Sequence, residues 1–297
     1  MRERLMELFT FHGLSHLLEH VFLDSLKLLP FLFLSYLAME FLEHRAKERT
    51  LKAISSCRGY APLAGAGLGL LPQCGFGAAV AGLYSGGVVS LGTLVAVFLS
   101  TGDEMLPVMI SNSVPASAIG LSLAVKLIAA LVFGFAIDFL MKIFKKEQKI
   151  GSVEELCEHE GCNCHSSGVF RSALKHTFQV FIFIFIFNLV MGAAIEVVSE
   201  DFIAGFFSAL PWLAYPISSL VGLMPNCASS VLITSLALEG SISFGAMISG
   251  LLTGSGVGIL VLFKTNKSFK QNLLIILYLL VVGILCGWII DLLGLKM

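Results

Sequence analysis

LGLLPQCG at residues 68–75 and VGLMPNCA at 221–228 are one phrase written twice. Their prolines, Pro72 and Pro225, lie 153 positions apart. The same offset pairs Glu43 with Glu196, Gly69 with Gly222, Gly87 with Gly240, Ser90 with Ser243, Gly92 with Gly245, Gly134 with Gly287 and Asp138 with Asp291. Thr101-Gly102 matches Thr253-Gly254 after a one-residue deletion. An offset held over so much of the chain marks an internal duplication.

Composition says where the two copies live. Of 297 residues, 57% are hydrophobic and 13% charged, and the mean hydropathy is +0.90. Soluble domains carry about 25% charged residues, so the bilayer is the natural solvent for this chain. Disorder, collagen-like repeats and disulfide-knot scaffolds are excluded, and a net charge of −1 offers nucleic acid no field. Seven cysteines, three of them (Cys157, Cys162, Cys164) in one short polar loop, read as thiols rather than a disulfide framework. Arg2, Glu3, Arg4, Glu7 and Glu19 within the first twenty residues do not read as a cleavable signal peptide.

The expected fold is all-α and polytopic, with two inverted-topology repeats, each containing a re-entrant or broken-helix hairpin. Residues 1–23 read as an amphipathic interfacial helix, 24–141 as transmembrane repeat 1, 142–175 as a cytoplasmic Cys/His/Glu-rich linker and 176–297 as transmembrane repeat 2. Apolar segments fall at about 26–43, 62–86, 88–110 and 117–141, then at about 178–198, 211–238, 241–263 and 271–295. FIFIFIF (181–187) alternates like a strand, but it lies inside some twenty apolar residues and is predicted helical.

Charge bias predicts the inversion. The loop after the first span is basic in the first half (Arg45, Lys47, Arg49, Lys52, Arg58) and acidic in the second (Glu196, Glu200, Asp201). The connection before the last span is read with the opposite bias, Asp103 and Glu104 against Lys264, Lys267 and Lys270. Inversion needs an odd number of crossings per half, so one of four apolar segments must enter and return. The segment broken by Pro72 or Pro225 has arms of about ten residues, each half a span. Both termini are then expected outside and residues 142–175 in the cytoplasm.

Hairpins entering from opposite faces would bring Pro72-Gln73-Cys74-Gly75 and Pro225-Asn226-Cys227-Ala228 together near the midplane. Backbone freed by proline survives at that depth only where it lines a cavity or binds something. An amide and a thiol from each half can both ligate metal. Thr101-Gly102-Asp103-Glu104 adds two carboxylates at a second helix interruption, where the other half has Thr253-Gly254-Ser255-Gly256. The bland alternatives are packing punctuation for the cysteines and solvated loop positions for Asp103 and Glu104. Glu43, Glu196, Asp138 and Asp291 are read as facing headgroups, and Lys126 as snorkelling outward or neutralising Asp103 or Glu104. Ser229, Ser230 and Thr234 are expected to bond back to helix carbonyls, and Gly65, Gly67, Gly69, Gly75 and Gly77 to serve close helix packing.

The linker carries Cys157, His159, Cys162, Cys164 and His165 among glutamates, donors suited to Zn²⁺, Cu⁺, Cd²⁺ or trivalent arsenic. Their spacing matches no closed zinc finger, so a sensor or delivery site is expected, with an acidic linker bearing incidental cysteines as the alternative. His12, His16 and His20 share a helical face, read either as an outer metal-collecting stripe or, more simply, as interfacial polarity. His16-Leu17-Leu18-Glu19-His20 also fits the H-x-x-E-H string of a class of zinc proteases, but no domain surrounds it to build a cleft.

The paired P-Q-C-G and P-N-C-A turns, T-G-D-E, LLTGSGVGILVLF (251–263) and the Cys/His loop together resemble the bacterial ten-transmembrane heavy-metal exporter family, whose members are labelled manganese transporters or arsenic efflux proteins. Ten segments agree with counting each hairpin as two. The resemblance implies a multi-pass protein of the bacterial cell membrane, with the hairpin and T-G-D-E residues at its site.

No phosphate loop and no Asp-Lys-Thr-Gly string occurs, which points to a secondary transporter or channel. The expected mechanism is alternating-access export, coupled to a proton or another cation, of an ion dehydrated by Gln73, Cys74, Thr101, Asp103, Glu104, Asn226, Cys227 and Thr253. No cofactor is expected to be permanently bound; the metal is cargo. Carboxylates and amides suit Mn²⁺, thiols favour Cd²⁺, Zn²⁺ or arsenite, and the mixed set leans to manganese, partly on the family label. Arsenite or organoarsenical efflux is the nearest alternative. Lipids are the expected neighbours, and a homo-oligomer is compatible with the sequence. The competing classes are an intramembrane hydrolase, which would lack an intramembrane histidine, and a metal-sensing membrane receptor.

Overall fold

The computed structural model describes residues 60–70, 75–101, 105–143, 211–225 and 227–296, together with helical positions scattered between 22 and 37 and between 170 and 189. All regular structure among them is helical. The first half contains α1 (Ala61–Gly69), α2 (Gly75–Ser85), α3 (Leu91–Ser100), α4 (Met105–Ser111) and α5 (Ala116–Ile143). The second contains α6 (Ala214–Gly222), preceded by a 3₁₀ turn at Pro211–Leu213, then α7 (Cys227–Leu238), α8 (Phe244–Thr253), α9 (Gly258–Thr265) and α10 (Phe269–Leu292). α6, α8, α9 and α10 each begin 153 residues after α1, α3, α4 and α5.

Duplicated residues do duplicated jobs. Ser90 and Ser243 cap α3 and α8, each accepting from a backbone N–H three residues on at 3.1 Å. Gly87 (φ 71°) and Gly240 (φ 77°) end α2 and α7 in the left-handed conformation that a side chain would disfavour. Their amides reach Tyr84 O and Ala237 O, while the next amides, of Val88 and Ser241, reach Leu83 O and Leu236 O.

Asp138 and Asp291 do not face headgroups, as sequence position suggested. Asp138 accepts from Gly92 N and Ser90 Oγ, both at 2.7 Å; Asp291 accepts from Gly245 N at 2.8 Å, from Tyr215 OH at 2.9 Å and from Ser243 Oγ. Each carboxylate sits at the positive N-terminal end of the neighbouring short helix and closes it. Glycine permits this approach: Gly92 packs on the Gly134 carbonyl and Gly245 on the Gly287 carbonyl, leaving no room for a Cβ.

Within the strand-like alternation at 181–187 the described residues, Phe181, Ile182, Phe185 and Ile186, are helical. Phe22 meets Phe185 at 6.3 Å between ring centroids and Phe33 meets Phe170 at 5.2 Å, so these two spans pack antiparallel.

Among the described residues four stretches are long and apolar enough to cross a membrane. Within an 18-residue apolar window, 73% of Leu91–Ser111 and 89% of Phe244–Thr265 is buried, against 22% of Ala116–Ile143 and 39% of Phe269–Leu292. The interrupted spans therefore form the centre, and α5 and α10 present Ile128, Val132, Phe135, Phe139, Leu277, Val281 and Leu285 outward. The connection into α5 is the uncharged Asn112-Ser113-Val114-Pro115. Asp103 and Glu104 precede α4 and do not belong to that connection, which corrects one arm of the charge argument.

Candidate metal pathway at the helix breaks

Arms of nine and eleven residues, α1 and α2, are each roughly 15 Å long, half a hydrocarbon core. α1 runs parallel to α3: Gly65 lies against Thr93 and Val97, and Gly69 against Val97 and Ser100. α2 leaves from the end of α1 and delivers the chain to the start of α3, so it must turn back. The second half repeats this. Ser249 Oγ donates to Tyr215 O at 3.0 Å and Thr253 Oγ1 to Ser219 O at 2.8 Å, which sets α6 parallel to α8. The ends of α1 and α6 are thereby level with the ends of α3 and α8.

The halves then interlock. α2 packs on α9 in parallel, with Gly77 against Ser255 and Gly258 at one end and Ser85 Oγ 2.6 Å from Thr265 Oγ1 at the other. α7 packs correspondingly on α4. Gly77 and Gly258 also touch Phe98, which is fully buried. A recess lies between the ends of α3, α6 and α8 and the start of α7. Its walls are Thr101 of the first half, Gly222 at the end of α6, Ser229 and Ser230 at the start of α7, Gly250 and Leu251 at the end of α8, and Gly254 and Gly256 in the second interruption.

Of the sequence-predicted site, the structure describes Thr101 and Thr253 fully and Cys227 by its backbone, as the first residue of α7. Thr101 Oγ1 donates to Val97 O at 2.6 Å, and Thr253 Oγ1 to Gly250 O as well as Ser219 O at 2.8 Å. With both protons committed to backbone, these hydroxyls can offer an ion only oxygen lone pairs. Gln73, Cys74, Asp103, Glu104 and Asn226 lie outside the described residues, as do Cys157, His159, Cys162, Cys164 and His165 of the linker and His12, His16 and His20. Among the described residues no three His, Cys, Asp or Glu side chains cluster as a metal site.

Of the bland readings, the back-bonding of Thr234 holds, with Oγ1 2.7 Å from Ser230 O, and Ser229 Oγ reaches Met224 O at 3.3 Å. Gly67 has open space around it and serves no packing. Lys126 does not snorkel. It is 0% exposed, and its Nζ donates to the carbonyls of Thr101 and Leu251. Residues that sequence reasoning did not place in the site are Ser218 and Ser255, fully buried and, among the described residues, with no hydrogen-bond partner for either Oγ. Ser255 holds the position of Asp103 in the repeat, and that alignment was the signal available.

A family model described as "Putative, 10TM heavy-metal exporter" matches residues 26–209. The chain belongs to that ten-transmembrane heavy-metal exporter family. The match takes in the first half and the linker and stops short of α6, a narrower reach than the motifs shared with the second half suggest. No curated protein and no solved structure matches the chain. The exporter family is one of multi-span membrane proteins, and the four apolar spans agree with it.

Proposed function

We propose that the chain is a secondary-active exporter of a divalent heavy metal, with Mn²⁺ the leading substrate, working by alternating access in the bacterial cell membrane. The observation that carries this is the interlock of the breaks: the start of α2 lies on the interruption of the opposite half, and the recess joins Thr101 to the start of α7.

The same contacts support the inversion of the halves that this reading requires. α2 ends where α3 begins, and α9 runs parallel to α2, so the span α8–α9 finishes on the side where α3 starts. α3 and α8 then approach the centre from opposite faces, and the antiparallel packing of the two first spans agrees. The charge bias at 45–58 and 196–201 supports the same arrangement. Discontinuous helices at the meeting point of inverted repeats are the usual setting of substrate sites in secondary transporters.

On this reading Gln73, Cys74, Asp103, Glu104, Asn226 and Cys227, which flank the described walls in the chain, replace the water around the ion, with Thr101 and Thr253 beside them. Mixed oxygen and sulfur donors favour Mn²⁺ over Ca²⁺ and Mg²⁺, which gain little from thiolate. A proton or another cation drives rocking of one repeat against the other. The Cys/His linker gathers metal on the cytoplasmic side.

Cells expressing the wild type are expected to hold less metal than empty-vector cells, and Cys74→Ser or Asn226→Ala to lose roughly tenfold or more of that efflux. Intracellular metal measured across Mn, Zn, Cd and arsenite identifies the cargo; arsenite alone responding would move the assignment to metalloid efflux. Identical metal content in all strains would end the export reading. Removing residues 154–165 is expected to leave basal flux intact, whereas a metal-sensing receptor would lose all function.

A further inference from the structure

Among the described residues Lys126 is the sole buried charged side chain. It sits ten residues, roughly 15 Å, into the 28-residue α5, near mid-depth of a span. Its ammonium donates to the carbonyl oxygen of Thr101 and, at 3.1 Å, to that of Leu251. Thr101 closes α3 of the first half and Leu251 lies in the last turn of α8 of the second. Helix C-termini carry partial negative charge, so two of them converging from different halves make a cation-attracting point, and Lys126 fills it.

Thr101 and Leu251 both border the recess. The repeat-equivalent position of Lys126 is Leu279, apolar and 0% exposed, so the pair of halves carries one such ammonium and not two. In sequence, Asp103 and Glu104 follow Thr101 by two and three residues. A resident ammonium at this place shares its counter-charges with any metal bound there.

We propose that Lys126 is a tethered cation that competes with the transported metal. It compensates the carbonyls when no cargo is present, weakens metal binding enough for release, and lets the empty protein pass between its two states. The inference rests on the export reading and makes Lys126 a determinant of affinity and of the return step.

Lys126→Gln separates charge from hydrogen bonding, because the amide can still donate to a carbonyl. Purified Lys126→Gln protein is expected to bind Mn²⁺ about ten- to a hundredfold more tightly than wild type, since a like charge has been removed from the site. In proteoliposomes it is expected to keep metal-for-metal exchange while net efflux into metal-free medium falls roughly tenfold or more, because the empty return lacks its cation. Lys126→Arg, which keeps the charge, is expected to bind Mn²⁺ within a few-fold of wild type.

Equal or weaker binding by Lys126→Gln would overturn the proposal, as would parallel loss of exchange and net flux with affinity unchanged, the signature of a mere structural tie. Should Lys126→Gln fail to fold, Lys126→Arg still decides: tighter binding despite the retained charge would refute competition. Wild-type protein that binds and moves none of Mn²⁺, Zn²⁺ and Cd²⁺ would instead bring down the export reading, a failure told apart because it appears without any substitution.

Discussion

Asp291→Ala is expected to cost the folded protein about 2–3 kcal/mol and Asp138→Ala about 1–2 kcal/mol, since these hydrogen bonds are only part-buried and each is worth about 1 kcal/mol net. The order comes from the donors. Asp291 receives Gly245 N, Ser243 Oγ and Tyr215 OH, whereas Asp138 receives only Gly92 N and Ser90 Oγ. Removing either carboxylate leaves the Gly245 or Gly92 amide at the N-terminus of α8 or α3 without its acceptor, in helices whose other ends border the recess. Asn at either position keeps an acceptor for the glycine amide and is expected to cost about 1 kcal/mol. Denaturant unfolding in mixed micelles measures all four variants. Equal, small effects for the two alanine variants would mean that these carboxylates face headgroups after all.

Gly287→Ala is the second large effect. A Cβ there would lie 2.5 Å from the Gly245 carbonyl oxygen and 2.7 Å from Ser249 Cβ, and neither can swing away because both belong to a packed backbone crossing. At the equivalent Gly134 the nearest atoms are Ala96 Cβ at 2.9 Å and the Gly92 carbonyl oxygen at 3.0 Å. Overpacking costs about 1–3 kcal/mol, and Gly287→Ala is expected at the upper end with Gly134→Ala at the lower. The crossing of α8 over α10 also fixes the register of Asp291 on Ser243, so Gly287→Ala is expected to depress transport with the cap residues intact. Thermal midpoints in detergent, compared between the two alanine variants, check the order. A larger loss for Gly134→Ala would show that the two crossings differ from this geometry.

The breaks were legible because proline and glycine act locally. Pro72 and Pro225 marked the turns, and the helices do stop at Gly69 and Gly222 and restart at Gly75 and Cys227. The 153-residue offset read in the sequence also separates the starts of α6, α8, α9 and α10 from those of α1, α3, α4 and α5. The reading failed where an isolated residue was judged by its distance from a helix end. Asp138 and Asp291 stand near the ends of long spans, which is where headgroups would be, yet their partners lie 46 to 76 residues earlier in the chain. Of the two sequence readings of Lys126, snorkelling outward or neutralising Asp103 or Glu104, its complete burial overturns the first, because hydropathy does not say which neighbour a helix face meets.

By itself the sequence determined the solvent, the helical class and the points at which helices must stop. Each of these follows from composition or from the backbone limits of one or two residues. Tertiary structure alone decided that α2 lies along α9, that two carboxylates close α3 and α8, and that one ammonium joins the ends of those helices across the halves. Those pairings link residues up to 180 positions apart. They arise from the shape of packed glycine crossings and from the need to satisfy every polar group in hydrocarbon, conditions that no short stretch of chain expresses.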